Sequence, residues 1–183
     1  MRIETDRLVV RDFERKDAEN LFRIVRQTNI VRFMKDWSEN RKCPQDYYGY
    51  IDWHQTQKDS VDIYQNKRYA VVLKDTDEMV GMVGMGLHHI LNEVEVAYFI
   101  SEDYYKMGFG YEAVTALVDW CFLHSDIAYL ILTIDIANVP SQKLAQKCGF
   151  KVFEKRTLIG YENMNMKSGS YFYYRKNNPN PKQ

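Results

Sequence analysis

The run AYLILTIDI, positions 128 to 136, constrains this chain more than any other stretch. Its near-continuous apolar content belongs to a strand buried on both faces, not to one with a wet side. Such a strand needs a layer above it and a layer below. The chain therefore calls for helices on both sides of a single sheet.

The remaining segments supply those layers. RLVVRDF (7 to 13) has strand content, and Asp17 precedes AENLFRIVRQ, where Ala18, Leu21, Phe22 and Val25 recur at helical spacing. Asp17 is read as that helix's cap. Residues 36 to 66 are irregular and aromatic, with a helix expected around 45 to 58. Strands are predicted over about 68 to 74 and 79 to 90, joined at Asp75-Thr76-Asp77-Glu78, and VEVAYFI (94 to 100) is a third. An amphipathic helix is predicted over 111 to 124. It buries Val114, Leu117, Val118, Cys121 and Phe122, and leaves Glu112, Thr115 and Asp119 outside. Asn138 caps a short helix over 139 to 147, and Lys147-Cys148-Gly149-Phe150 ends it with a basic residue, a left-handed glycine and an apolar contact. KVFEKRTLIGY and GSYFYYRK read as two last strands. The pattern is one α/β (α+β) domain over 1–176, with NNPNPKQ (177–183) as a frayed tail.

Composition narrows the function classes. Lys plus Arg equals Asp plus Glu, so the formal charge is zero and neither nucleic acid nor an anionic membrane is expected as partner. No run approaches the ~18 apolar residues of a membrane span. The charged start MRIETDRLVVRDF does not resemble a signal peptide. Cys43, Cys121 and Cys148 form neither a disulfide framework nor a metal-ligand pattern, and the four histidines show none either. No metal and a cytoplasmic location are expected. The aromatic strand from Tyr171 to Tyr174 is read either as core or as the edge of a homodimer.

The stretch YYKMGFGYEAV carries the chemistry. It leaves a strand, turns on Gly108 and Gly110 and enters a helix. Backbone N–H groups at such a turn point one way, and the helix dipole adds partial positive charge. A diphosphate suits this arrangement, although two glycines also serve a plain tight turn. No GK[ST] follows, so it is not a P-loop. A dinucleotide fingerprint would take Ala113 as third glycine position and Asp135 as the acidic residue, but the antiparallel meander before the turn argues against an NAD oxidoreductase.

The same stretch, in AYFISEDYYKMGFGYEA, resembles motif A of the GNAT acetyltransferases. NVPSQKLAQKCGF (138 to 150) looks like their motif B, and ETDRLVVRDFERKDAENLF is similar to the opening of the branch that acts on ribosomal-protein N-termini. The resemblance runs from about residue 4 to residue 155. It implies a mixed, mostly antiparallel sheet of about six to seven strands, splayed where the arm of acetyl-CoA enters. It also implies transfer of acetyl to a primary amine, on a small molecule or a protein N-terminus, by direct attack. A non-catalytic acyl-CoA-binding module on the same fold is the alternative. Cofactor contacts are expected from Phe99 and Ile100 on the strand, from Met107, Gly108, Phe109, Gly110 and Tyr111 at the turn, and from Asn138 and Ser141. Tyr105 stands where many members have Gln or Arg, and Ala145 where many have a tyrosine that protonates the leaving thiolate.

An amine must lose a proton before it attacks. Alternation in NEVEVAYFI puts Glu93, Glu95, Ala97 and Phe99 on one strand face. Glu95 is the candidate base, with Glu93 beside it; a solvated strand edge explains the pair equally well. Trp37, Tyr48 and Trp53, with Asp36, Glu39 and Asp46, lie where the resemblance implies an acceptor pocket, although core packing is the preferred reading for most of these aromatics.

Overall fold

The computed structural model describes residues 1–60, 62–88, 90–158 and 168–180. Its strands are β1 (Arg2–Glu4), β2 (Leu8–Arg11), β3 (Lys67–Leu73), β4 (Met79–His88), β5 (Glu93–Ile100), β6 (Tyr129–Asp135), β7 (Lys151–Leu158) and β8 (Gly169–Asn177). The α-helices are α1 (Ala18–Ile24), α2 (Thr28–Phe33), α3 (Tyr48–Thr56), α4 (Phe109–His124) and α5 (Val139–Lys147). All eight strands join one sheet in the order β1-β2-β3-β4-β5-β6-β8-β7. Only β5 and β6 run parallel. The strand beyond the expected seven is β1, whose three residues RIE are too few to establish a strand period.

Alternation sorts side chains to two cores. Leu8 and Val10 of β2 join Val83, Val96, Leu130 and Leu132 under Ala113, Leu117 and Val118 of α4. Val9, one position between them, goes to the opposite face with Leu21 of α1, Ile51 of α3, Met82 and Phe99. The β6 run is buried on both sides, with Leu130, Ile131, Leu132 and Ile134 almost inaccessible.

Local signals held at α5 and failed at α1. Asn138 Oδ1 accepts the Ser141 N–H at 3.3 Å, and the helix closes with Gly149 N–H on Gln146 O and Phe150 N–H on Ala145 O. Asp17 makes no side-chain cap. Its carboxylate is buried and instead takes both Nη1 and Nη2 of Arg11, at 2.7 and 2.9 Å. The predicted single helix also ends at Ile24, and Gln27 in extended conformation opens α2.

The aromatic strand β8 lies inside the sheet, and Tyr173 and Tyr174 are core residues rather than a dimer edge. The edge is β7, where a bulge between Val152 and Glu154 leaves Phe153 unpaired against Arg175. The tail begins later than the composition implied. Asn177 closes β8, and Asn178 is buried, its N–H on Ala128 O and its Nδ2 on Ile127 O. Positions 159–161 of the predicted seventh strand, His89 at the end of the predicted strand 79 to 90, and the end of the tail lie outside the described residues. Among the described residues no helix is long and apolar enough to cross a membrane.

Candidate active site

The turn before α4 is built from two distant segments. Helix α4 starts at Phe109, two residues earlier than its apolar stripe implies, because Gly108 takes the left-handed conformation (φ 86°) and serves as N-cap. Lys106 is left-handed as well, at φ 65°. Arg7 pins the turn. Its Nη1 donates to Met107 O at 2.9 Å, its guanidinium lies 4.6 Å over the Phe109 ring, and it pairs with Glu112 through Nε (2.8 Å) and Nη2 (2.6 Å). The Thr5 hydroxyl and the Arg7 N–H donate to the other Glu112 oxygen at 2.6 and 2.9 Å. Glu112 is therefore a clamp, not a solvated helix residue. Burial raises its carboxyl, but these donors outweigh burial and hold it below the usual carboxylate value.

The clamp leaves the helix's own donors unspent. Among the described residues, no carbonyl or side chain accepts from the N–H of Met107, Gly108, Phe109, Gly110 or Tyr111. The two glycines have different causes. Gly108 is needed for its φ. At Gly110 a Cβ would stand 2.9 Å from Leu144 Cδ2, so this glycine lets α5 and Ile100 close on α4. Met107 and Tyr111 are exposed beside the free donors, and Lys147 Nζ lies 4.8 Å over the Tyr111 ring.

The sheet opens next to this turn. The β5 and β6 strands pair at a single position, Glu95 with Ile131, and beyond it they separate. Ser101 N–H donates to Val80 O, so by alternation Phe99 and Ala97 exchange bonds with Met82 and Gly84 of β4. The β5 groups left facing β6 are those of Val96, Tyr98 and Ile100. Phe99 thus departs from its expected contact: its backbone serves the β4 ladder and its ring packs at 5.2 Å on Trp37. Ile100 turns its backbone groups toward the β6 side.

Glu95 stands where the strands part. Its Oε1 accepts the Thr133 N–H at 3.0 Å and a very short bond from the Thr133 hydroxyl. The carboxylate replaces the ladder partner that β6 loses at the divergence, while Oε2 has no hydrogen-bond partner among the described residues. Glu93, predicted beside it, does not line the cleft. It accepts from Tyr129 and Tyr173 hydroxyls, each at 2.7 Å, and from Arg175 Nη2 at 3.2 Å. A carboxylate enclosed by a guanidinium and two phenols is a structural pair, which leaves Glu95 as the member of the two that lines the cleft.

The cleft itself holds about 880 Å³, with Glu95, Ala97, Tyr98, Thr133, Asn138 and Ser141 among its walls. Tyr98 was not singled out by sequence. Its hydroxyl meets Ser141 Oγ at 2.9 Å and Ser141 O at 3.1 Å, and burial pushes its titration well above the ordinary phenol value. It stays protonated at neutral pH. Arg7 was also missed, although the T-x-R phrase contains it. At the far rim the one-turn helix Lys35–Trp37 presents Asp36, whose carboxyl is raised by the surrounding protein. Trp37 stacks edge-on between Phe99 and Tyr50, so it is core as well as wall, whereas Trp53 is exposed and Tyr48 packs under Arg15.

Comparison with known proteins agrees with this geometry. The family model described as "Acetyltransferase (GNAT) domain" matches residues 7–151. Two Bacillus proteins are similar along most of their length. The uncharacterized N-acetyltransferase p20 of Bacillus licheniformis is 26% identical over 153 residues, 80% of each chain. The uncharacterized N-acetyltransferase YnaD of Bacillus subtilis (strain 168) is 22% identical over 151 residues, 82% of this chain and 83% of YnaD. In fold, the chain resembles the ribosomal-protein-S5-alanine acetyltransferase of Vibrio fischeri, with TM-score 0.77 over all of both chains at 18% identity.

Proposed function

The chain belongs to the GNAT acetyltransferase family, and on that footing we propose that its cleft between β5 and β6 acetylates a primary amine with Glu95 as base. It is an acetyl-CoA-dependent N-acetyltransferase. The observation that carries the site assignment is the separation of β5 from β6 beyond Glu95, beside a helix start with unspent N–H donors. The residues fit the donor's two polar parts. The N–H groups of Phe109, Gly110 and Tyr111 suit a diphosphate, and the free β5 edge at Tyr98 and Ile100 suits an amide-bearing arm. Asn138 and Ser141 border the same wall.

When bound, acetyl-CoA supplies the acetyl group as a thioester. The protein's share is to hold the amine and move protons. Glu95 Oε1 is tied to Thr133, so Oε2 takes the ammonium proton, directly or through one water. An α-amine, with pKa about 7.7 to 8.0, needs little help; a lysine amine near 10.4 needs much more. Unpaired strand N–H groups at Tyr98 and Ile100 are donors for a carbonyl oxygen gaining charge. Tyr98 Oη, hydrogen-bonded to Ser141, holds the proton that the missing tyrosine at Ala145 would have held. A thiol of pKa about 8.5 departs without full protonation, so this donor assists rather than decides. A reducing cytoplasm suits the three free cysteines.

The decisive assay follows thiol release from acetyl-CoA with a panel of peptides and small amines. Turnover that falls in Glu95→Gln with unchanged CoA binding supports the reading. Tight CoA binding with no turnover for any amine leaves an acyl-CoA-binding module instead.

A further inference from the structure

A second cavity, about 280 Å³, lies behind the Asp36–Trp37 ridge and shares Asp36 with the main cleft. Its walls are aromatic and basic: Trp37, Tyr47, Tyr50, His54, Arg41 and Arg68 among them. Three features set it apart from ordinary packing. Among the described residues the buried Tyr50 hydroxyl has no hydrogen-bond partner, an arrangement that native interiors avoid. The charged side chains that share the cavity with that hydroxyl are Arg68, Arg41 and Asp36. Neither arginine has a carboxylate within ion-pair distance among the described residues. Each spends one Nη on backbone: Arg68 on Lys67 O and Met85 O, Arg41 on Asp46 O. The remaining guanidinium N–H groups have no acceptor there.

Two half-used guanidiniums and an orphan phenol against one carboxylate leave a net positive, donor-rich pocket. His54 adds no charge, because burial first, and Arg68 and Lys67 next, pull its imidazole down to about 4. The aromatic walls accept a flat or apolar body beside the charge. Asp36 borders both spaces, which puts the pocket next to the cleft.

We propose that this cavity recognises the acceptor by an anionic group, carboxylate or phosphate, carried on the same molecule as the amine that is acetylated. The inference rests on the acetyl-transfer reading for the role of the cleft, while the pocket's own chemistry stands on Tyr50, Arg41 and Arg68. The anion can sit on an acidic first residue of a peptide or on a small aminoalkyl acid.

Paired acceptors separate these sources. A peptide amide beginning with glutamate is compared with its glutamine counterpart, and 2-aminoethyl phosphate with ethanolamine. At least one acidic member is expected to show a roughly tenfold or greater advantage in kcat/KM, since a hydrogen bond to a charged group is of that size. The pair that shows it names the source. In Tyr50→Phe and Arg68→Gln the advantage should shrink roughly tenfold, through KM rather than kcat. Tyr50→Phe removes one oxygen that no protein group holds, so its melting temperature should not fall, and misfolding cannot explain its result. Equal kcat/KM within both pairs overturns the pocket and leaves acetyl transfer standing. If no amine turns over, glutarate and inorganic phosphate are titrated calorimetrically into the CoA-bound protein. Binding lost in Arg68→Gln then supports the pocket and condemns the transfer reading alone; no binding, or binding indifferent to Arg68→Gln, overturns the pocket.

Discussion

The two ends of the cleft are constructed on opposite plans. At the proposed cofactor end, Thr5, Arg7 and Glu112 clamp a turn that offers backbone N–H donors. At the proposed acceptor end, Asp36, Trp37, Tyr50, His54 and Arg68 come from three separate stretches and present their side chains. A backbone site needs one conformation, set by Gly108 and a pinned loop. A side-chain site needs several elements to dock in register before any group is in place. The first plan tolerates sequence change around it; the second fixes specificity and changes with every substitution that shifts the docking.

The contrast can be broken by mutation. The largest effect is expected at Glu95→Gln, where loss of the base lowers kcat by about 10²- to 10⁴-fold at neutral pH. With an α-amine acceptor the deficit should narrow toward pH 9, as the free amine fraction rises. A pH-independent deficit would point to Glu95 as a strand spacer for Thr133 and nothing more.

Acidification should loosen the acceptor end first. His54 titrates lower in the folded protein (about 4) than its ordinary 6.5, so the unfolded chain takes the proton first as pH falls. Stability is intact above 6.5 and declines between about 6.5 and 4, by up to about 3 kcal/mol. His54→Phe should flatten the melting temperature over that window. The cofactor end responds in a more acid range. Glu112 is held below its ordinary 4.5, so its contribution is complete above that value and is lost as pH falls beneath it. Glu112→Gln should cost about 2 kcal/mol at pH 7, with the gap to wild type closing in acid. Overlapping acid transitions for the two variants would erase the distinction between the ends.

The smallest stability effect is expected at Gly108→Ala. A left-handed alanine costs about 1 kcal/mol, and a Cβ there would stand 3.3 Å from Arg7 Nη2. CoA affinity, read by calorimetry, should nevertheless fall several-fold. Unaltered affinity would mean that the turn is not where the diphosphate sits.

The cofactor half was legible because its signals are local. Asn138, Pro140 and Gly149 mark α5 within a dozen residues, and YYKMGFGYEAV writes strand, turn and helix in order. Asp17 misled for the converse reason. It has the chemistry of a cap, but a buried Arg11 six residues earlier offered its carboxylate two charged donors, and that pairing won. Alternation put Glu93 and Glu95 on one strand face, and Glu93 was expected beside the candidate base Glu95. Tyr129, Tyr173 and Arg175 distinguish them, and those residues are brought near only when β6 and β8 pair.

From its sequence alone this protein is a sheet domain covered by helices on both faces, with an anion-ready turn, since hydrophobic period, caps and glycine conformations act over a few residues at a time. Which carboxylate faces the cleft, which backbone groups of β5 stay unpaired, and that Tyr50 lines one cavity with two arginines were decided by tertiary structure. Strand register and helix docking place groups from distant positions at hydrogen-bonding range, and no short-range rule carries that information.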